Sequence, residues 1–256
     1  MYKQFTEFKA FKTENANDGI FGGKLLGVRS KECITFYDWN NFCVVRRIDL
    51  ASSLKSVKWS EDGKRVVLAM EEAFYLLTFN EQFVTNKIAS NEIDDDELED
   101  GFEEAFDFVD EYEETVNSGH WVSSDCFAFT NAKGHISYLI GGKIIKLGNA
   151  DKKQHILGYD GKQNRLYLVD KGLNIVTHRL LLSVMNFQVA ILNGDLEQAN
   201  KLLAAIPESY NSKVAKFLEQ NGQKQMAFDL TSDLDHKFEL ALTLNNVEKA
   251  KEIADE

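Results

Sequence analysis

Up to about Leu180 the apolar positions alternate with polar ones in short runs broken by turns; beyond it they recur three and four apart. CITFYDWNNFCVVRRIDL (Cys33 to Leu50) and VKWSEDGKRVVLAMEEAFYLLTF (Val57 to Phe79) carry the first pattern, which is that of half-buried strands. Leu192, Leu196, Ala199, Leu202 and Leu203 carry the second, which places them on one face of a helix. The change of period predicts a β module, residues 1–179, running into stacked helices, residues 180–256.

The β region repeats. Cys33 to Asp38, a turn at Trp39-Asn40-Asn41, and Phe42 to Ile48 read as a strand pair. About forty residues on, Ala73 to Phe79, Asn80 to Gln82, and Phe83 to Ile88 read as a second pair, a period in the range of WD-type propeller blades. Tyr37-Asp38 stands where such repeats place Trp-Asp. Four-stranded blades are expected at Gly19 to Leu50, Leu54 to Ala89 and Gly119 to Ala150, preceded by two strands within Tyr2 to Phe11. The last unit, His155 to Arg179, has three strands and no fourth. About four to five blades follow, and because propellers close by pairing first and last blades, the ring is expected to be incomplete, as in a chain short at its N-terminus.

Residues 94–117 interrupt the blades. Leu98, Phe102, Ala105, Phe106, Val109, Tyr112 and Val116 fit one face of a helix, so an acidic amphipathic helical insertion is expected there. In the helical region Ala190 to Ala199 resembles Ala241 to Ala250. Gly194-Asp195, Asn221-Gly222 and Asn245-Asn246 mark turns between helices, as in a short-repeat α-solenoid. Pro207, the single proline, falls between helices, where its missing N–H costs least.

The net charge of −12 is local. Between Asp94 and Glu114 lie 13 acidic residues and no Lys or Arg; without them 28 acidic residues face 29 basic ones. Nucleic acid therefore has no basic surface to bind. No uninterrupted apolar run approaches the ~20 residues of a membrane-spanning helix, so no direct membrane insertion is expected. Cys33, Cys43 and Cys126 lack C-x-x-C spacing and read as reduced thiols of a cytosolic protein.

The residues give no candidate catalytic, cofactor-binding or metal-binding side chain, and no cofactor is expected. Asp96 to Asp107 has Gly101 where a calcium loop needs glycine, but Leu98 stands at the third ligand position and the short Asp107 at the twelfth. His120, His135, His155, His178 and His236 have no ligand spacing and are expected at the surface or blade edges. The glycines of Gly19 to Gly27 have no helix behind them to hold a phosphate, and fit strand turns instead.

One family joins these parts. GGKLLGVRS (Gly22 to Ser30), FYDW (Phe36 to Trp39), DGFEEAF (Asp100 to Phe106), GHWV (Gly119 to Val122), LGY (Leu157 to Tyr159), NRLYLVDK (Asn164 to Lys171), LNIV (Leu173 to Val176) and HKFELAL (His236 to Leu242) occur in the order seen in the β′ subunits of the COPI coatomer, which the chain resembles. The resemblance implies most of that family's second propeller and the start of its α-solenoid. It implies a non-enzymatic scaffold of the vesicle coat in Golgi-to-ER retrograde and intra-Golgi transport, peripheral on the cytoplasmic face of Golgi membranes. The implied partners are the coatomer α subunit and other coatomer subunits, and indirectly an Arf-type GTPase and dilysine-tailed cargo. The rival readings are another propeller-plus-solenoid scaffold, such as the coatomer α subunit or an intraflagellar-transport component, and a WD-repeat adaptor for an enzyme complex.

Overall fold

The computed structural model describes residues 18–90, 93–149 and 153–254; the strands expected within Tyr2 to Phe11 lie outside them. Four antiparallel sheets come first in the chain. β1 (Gly19–Phe21), β2 (Leu26–Arg29), β3 (Cys33–Tyr37) and β4 (Val44–Asp49) form one blade in chain order. β5 (Ser56–Trp59), β6 (Arg65–Ala69), β7 (Phe74–Phe79) and β8 (Phe106–Tyr112) form the second, and β9 (Ser118–Ser123), β10 (Cys126–Thr130), β11 (His135–Ile140) and β12 (Lys143–Asn149) the third. The last sheet has three strands, β13 (Gln154–Asp160), β14 (Arg165–Asp170) and β15 (Ile175–Arg179). Propeller blades followed by helical hairpins are thus the fold class.

Two expectations fail, and they fail together. Phe83 to Ile88 is not a returning strand: α1 (Glu81–Ser90) occupies it, started by Asn80, whose Oδ1 accepts a hydrogen bond from Phe83 N–H at 3.1 Å. The expected helix over 94–117 shrinks to α2 (Asp95–Asp100) and one 3₁₀ turn (Glu103–Ala105), and the chain then becomes β8. The physical reason is the unfilled edge of β7. Phe106 pairs with Phe79 and Tyr112 with Phe74, burying an aromatic at each end of the new strand while Asp107 to Glu111 stay exposed. Three-and-four spacing through this stretch was compatible with a helix, but two cross-strand aromatic pairs outweigh it. The insertion is therefore residues 80–105, between β7 and β8.

The described chain divides into two compact units: residues 18–138 with Lys146–Leu157 and Leu168–Asn174, and Leu139–Ile145 with Gly158–Tyr167 and the chain from Ile175 onward. In the first, alternate residues of the first two blades meet in one core. Phe36, Trp59, Phe79 and Phe106 close it, with Phe36 and Phe106 centroids 5.1 Å apart and Trp59 edge-on to Phe79 at 5.7 Å. Phe74, Tyr112 and Phe129 fill the next inter-blade layer. Trp121 is buried, with its ring 5.3 Å from that of Phe127, and donates its indole N–H to the Lys58 carbonyl at 2.8 Å.

In the second unit α3 (Leu182–Leu192) and α4 (Leu196–Leu203), α5 (Asn211–Gln220) and α6 (Lys224–Leu230), and α7 (Leu234–Thr243) and α8 (Val247–Ala254) form successive helical hairpins. The expected turns are found. Gly194 and Gly222 take left-handed φ of 76° and 80°, and Asn245 does so at 56°, a conformation asparagine tolerates better than most residues. Each helix contributes one buried alanine, Ala190, Ala199, Ala215, Ala227, Ala241 and Ala250. A methyl at the closest approach lets helix backbones draw near, which accounts for the likeness of Ala190–Ala199 to Ala241–Ala250. Two β hairpins complete this unit: Ile145 packs on the helical core, Lys143 Nζ donates to Asn221 Oδ1 at 2.8 Å, and Tyr159 Oη donates to the Leu180 carbonyl at 3.0 Å.

Candidate functional site

The insertion is built to dock on the first blade. Asp94 and Glu97 form a reciprocal capping box: Asp94 Oδ1 accepts from Glu97 N–H at 2.8 Å, and Glu97 Oε2 from Asp94 N–H at 3.1 Å. Acidic residues in the first turn add a favourable interaction with the helix dipole. At the other end Gly101 adopts φ 76°, ψ −164°, a region essentially reserved for glycine. A Cβ there would lie 2.5 Å from the Val45 carbonyl. This close approach lets Gly101 bridge Arg46 and lets Phe102 N–H donate to the Val45 carbonyl at 2.8 Å. The outer edge of β4 is thereby covered, and Phe102 and Ala105 are buried in the core. Lys87 to Glu97 at 2.8 Å and Arg47 to Asp100 at 3.5 Å tie the acidic helix down.

Beside α1 lies a groove of about 420 Å³, lined by Lys24, Asp38, Trp39, Glu81, Val84 and Ile88 among others. Lys24 Nζ and Glu81 Oε1 meet at 2.6 Å along it. Asp38 is occupied with its own turn, its Oδ2 accepting from the N–H groups of Asn40 and Asn41. Trp39 stays 44% exposed and donates its indole N–H to the Gly23 carbonyl at 3.1 Å. Gly23 itself is required by the Trp59 ring, 2.0 Å from where a Cβ would sit. An apolar wall with a fixed ion pair and an indole suits contact with another polypeptide.

β8 is the second unusual surface. Phe108 is 61% exposed and Val109 50%. Val109 sits at an irregularity in the β7–β8 register, where Leu76 pairs with Asp110 and Leu77 with Phe108, so it has no partner across the ladder. Asp107, Asp110, Glu111 and Glu113 are exposed around them, and among the described residues none is in an ion pair. Burial, followed by the neighbouring Asp110 carboxylate, pushes the Tyr112 phenol up to about 12.

The residues weighed for chemistry are scattered. Cys33 is buried beside Ser30 Oγ, 3.1 Å from its Sγ. Burial and then Asp38 push the Cys43 thiol up, and burial and then Asp125 push that of Cys126 up to about 12, the reverse of an activated nucleophile. Gly101 and its acidic neighbours form a helix cap, not a cation loop; among the described residues no group of three metal-type ligands converges. His236 corrects the expectation of a surface or blade-edge histidine. It is buried on α7, its Nε2 3.0 Å from Glu219 Oε2 and its Nδ1 3.3 Å from Thr231 Oγ1, so it joins α7 to α5 and to the turn that follows α6. The signal for it was its position one helical turn ahead of the buried Leu240.

Comparison with known proteins places this arrangement. The model of the COPA/B second β-propeller matches residues 1–170, and that of the COPA/B TPR domain residues 187–256. The chain belongs to the coatomer COPA/B family. It is 41% identical to coatomer subunit beta′ of Rattus norvegicus and 40% to that of Homo sapiens, each over 99% of this chain. It is 38% identical to that of Drosophila melanogaster over 100% of this chain. In each case it spans 27% of the relative's length. The groove beside α1 and strand β8 both fall inside the matched propeller region of this coatomer family.

Proposed function

We propose that this chain is part of a COPI coat subunit and acts as a non-enzymatic scaffold in Golgi-to-ER and intra-Golgi vesicle transport. The observation that carries the reading is identity of about 40% to coatomer subunit beta′ over almost the whole chain, with propeller and helical regions in the same order. The chemistry agrees with a scaffold. The blades are held by aromatic layers, the helices by close-packed alanines, and what they leave outward is contact surface. Its partners on this reading are the coatomer α subunit and other coatomer subunits, with an Arf-type GTPase and dilysine cargo engaged indirectly. Its site of action is the cytoplasmic face of Golgi membranes and coated vesicles. Many modest contacts, each weak alone, gain effective concentration when the subunits share one membrane.

The test is affinity tagging of the protein at its native locus and identification of what co-purifies. Other coatomer subunits are expected in near-equal amounts. Recovery of intraflagellar-transport or ubiquitin-ligase components in their place overturns the assignment.

A further inference from the structure

The two outer strands of neighbouring blades are treated differently. The edge of β4 is covered by Gly101 and Phe102, whereas β8 is the outermost strand of its sheet. An edge strand left open presents unpaired backbone donors and acceptors to any extended chain. Here that edge also carries Phe108 and Val109 exposed side by side, with Asp107, Asp110, Glu111 and Glu113 around them and no ion pair on any of the four among the described residues. Phe108 is braced from behind by Tyr75, edge-on at 5.8 Å, so it is held outward rather than free to fold back.

From this we infer that β8 is a docking edge for an extended, lysine- or arginine-rich polypeptide segment carrying apolar residues at alternate positions. Alternation matches the strand's period: the apolar residues of the incoming segment lie alongside Phe108, while its cations reach the carboxylates. The same carboxylates oppose a second copy of this strand, since like charges set opposite each other in a sheet are destabilising. They repel nucleic acid and anionic lipid for the same reason. The edge therefore selects its partner by repulsion as well as attraction. The inference does not rest on the coat assignment, because it uses only the geometry and charge of β8.

The test is fluorescence anisotropy of a labelled peptide of alternating lysine and valine titrated with the whole chain, beside a glutamate/valine and a lysine/serine peptide. Binding of the lysine/valine peptide alone is expected, weakening steeply with added salt. Phe108→Ser and, separately, Asp110→Lys are each expected to weaken it about tenfold or more. Neutralising the acidic helix by Asp96→Asn with Glu99→Gln is expected to leave it unchanged. Hydrogen exchange at the Phe106–Tyr112 amides is expected to slow when the peptide binds. Phe108 is exposed, so its variant keeps the parent melting temperature; if it does not, the Asp110→Lys arm decides. Absence of binding, equal binding of the lysine/serine peptide, or equal loss in the acidic-helix variant overturns the inference.

Discussion

Single side chains in this molecule show how surroundings decide chemistry. Cys126 lies in a strand every residue of which is buried, and a thiolate there would lose its hydration while facing Asp125. With its thiol pushed up to about 12, on the order of one in ten thousand would be ionised at pH 8. Alkylation by iodoacetamide at that pH is expected to modify Cys43 slowly and to leave Cys126 untouched until the chain unfolds. Cys43 is half-buried and also raised, so it reacts more slowly than a free thiol but ahead of Cys126. Peptide mapping by mass spectrometry reads both, and labelling of Cys126 at the Cys43 rate in the folded chain contradicts the burial argument. A strand in this part of the chain was legible from the blade expected at Gly119 to Ala150, and Cys126 stands at the first position of β10. The partners of His236 were not legible, because Glu219 and Thr231 lie 17 and 5 residues away on other parts of the chain.

At the scale of elements, strand alternation was enough for β1 to β7 and β9 to β15, and glycine and asparagine turns were enough to divide the helices. The exchange of α1 and β8 was not legible, for a physical reason. Phe83-Val84 and Ile88 fit a short strand as well as a helix, and Phe106 to Tyr112 fits both periods. What decides is which segment can bury an aromatic against both Phe79 and Phe74, a tertiary condition absent from any local window. One consequence concerns the docking of α2. Gly101→Ala forces a glycine-only backbone conformation and drives a methyl into the Val45 carbonyl. A loss of about 1–3 kcal/mol is expected from the backbone strain, measured by urea denaturation. The Phe102 amide, which donates to Val45, is expected to exchange faster with solvent, and α2 to become open to proteolysis. Unchanged exchange at Phe102 would falsify the close-approach account of this glycine.

Across the whole molecule, the change of hydrophobic period near Leu180 and the division into compact units describe different things. The period marks where strands give way to helices. The compact unit that contains the helices also includes Leu139–Ile145 and Gly158–Tyr167, which are β hairpins. Gly141, at φ 52°, brings the backbone of the first hairpin to Leu192, where a Cβ would sit 3.0 Å from its side chain, and Ile145 enters the helical core. Helices this short, of 7 to 11 residues, are marginal alone in water and depend on packing. Their stability must therefore draw on residues that the sequence assigns to strands. Ile145→Ser removes apolar packing at that contact, and because Ile145 is only partly buried a loss of about 1–2 kcal/mol is expected. In hydrogen-exchange mass spectrometry the loss is expected as faster exchange in α3 and α5, with β5 to β7 keeping their protection. Equal loss in both regions means that the chain unfolds as one cooperative body. Loss confined to β11 and β12 means that the helices hold themselves together, and that a cut near Leu180 would free a self-sufficient helical domain.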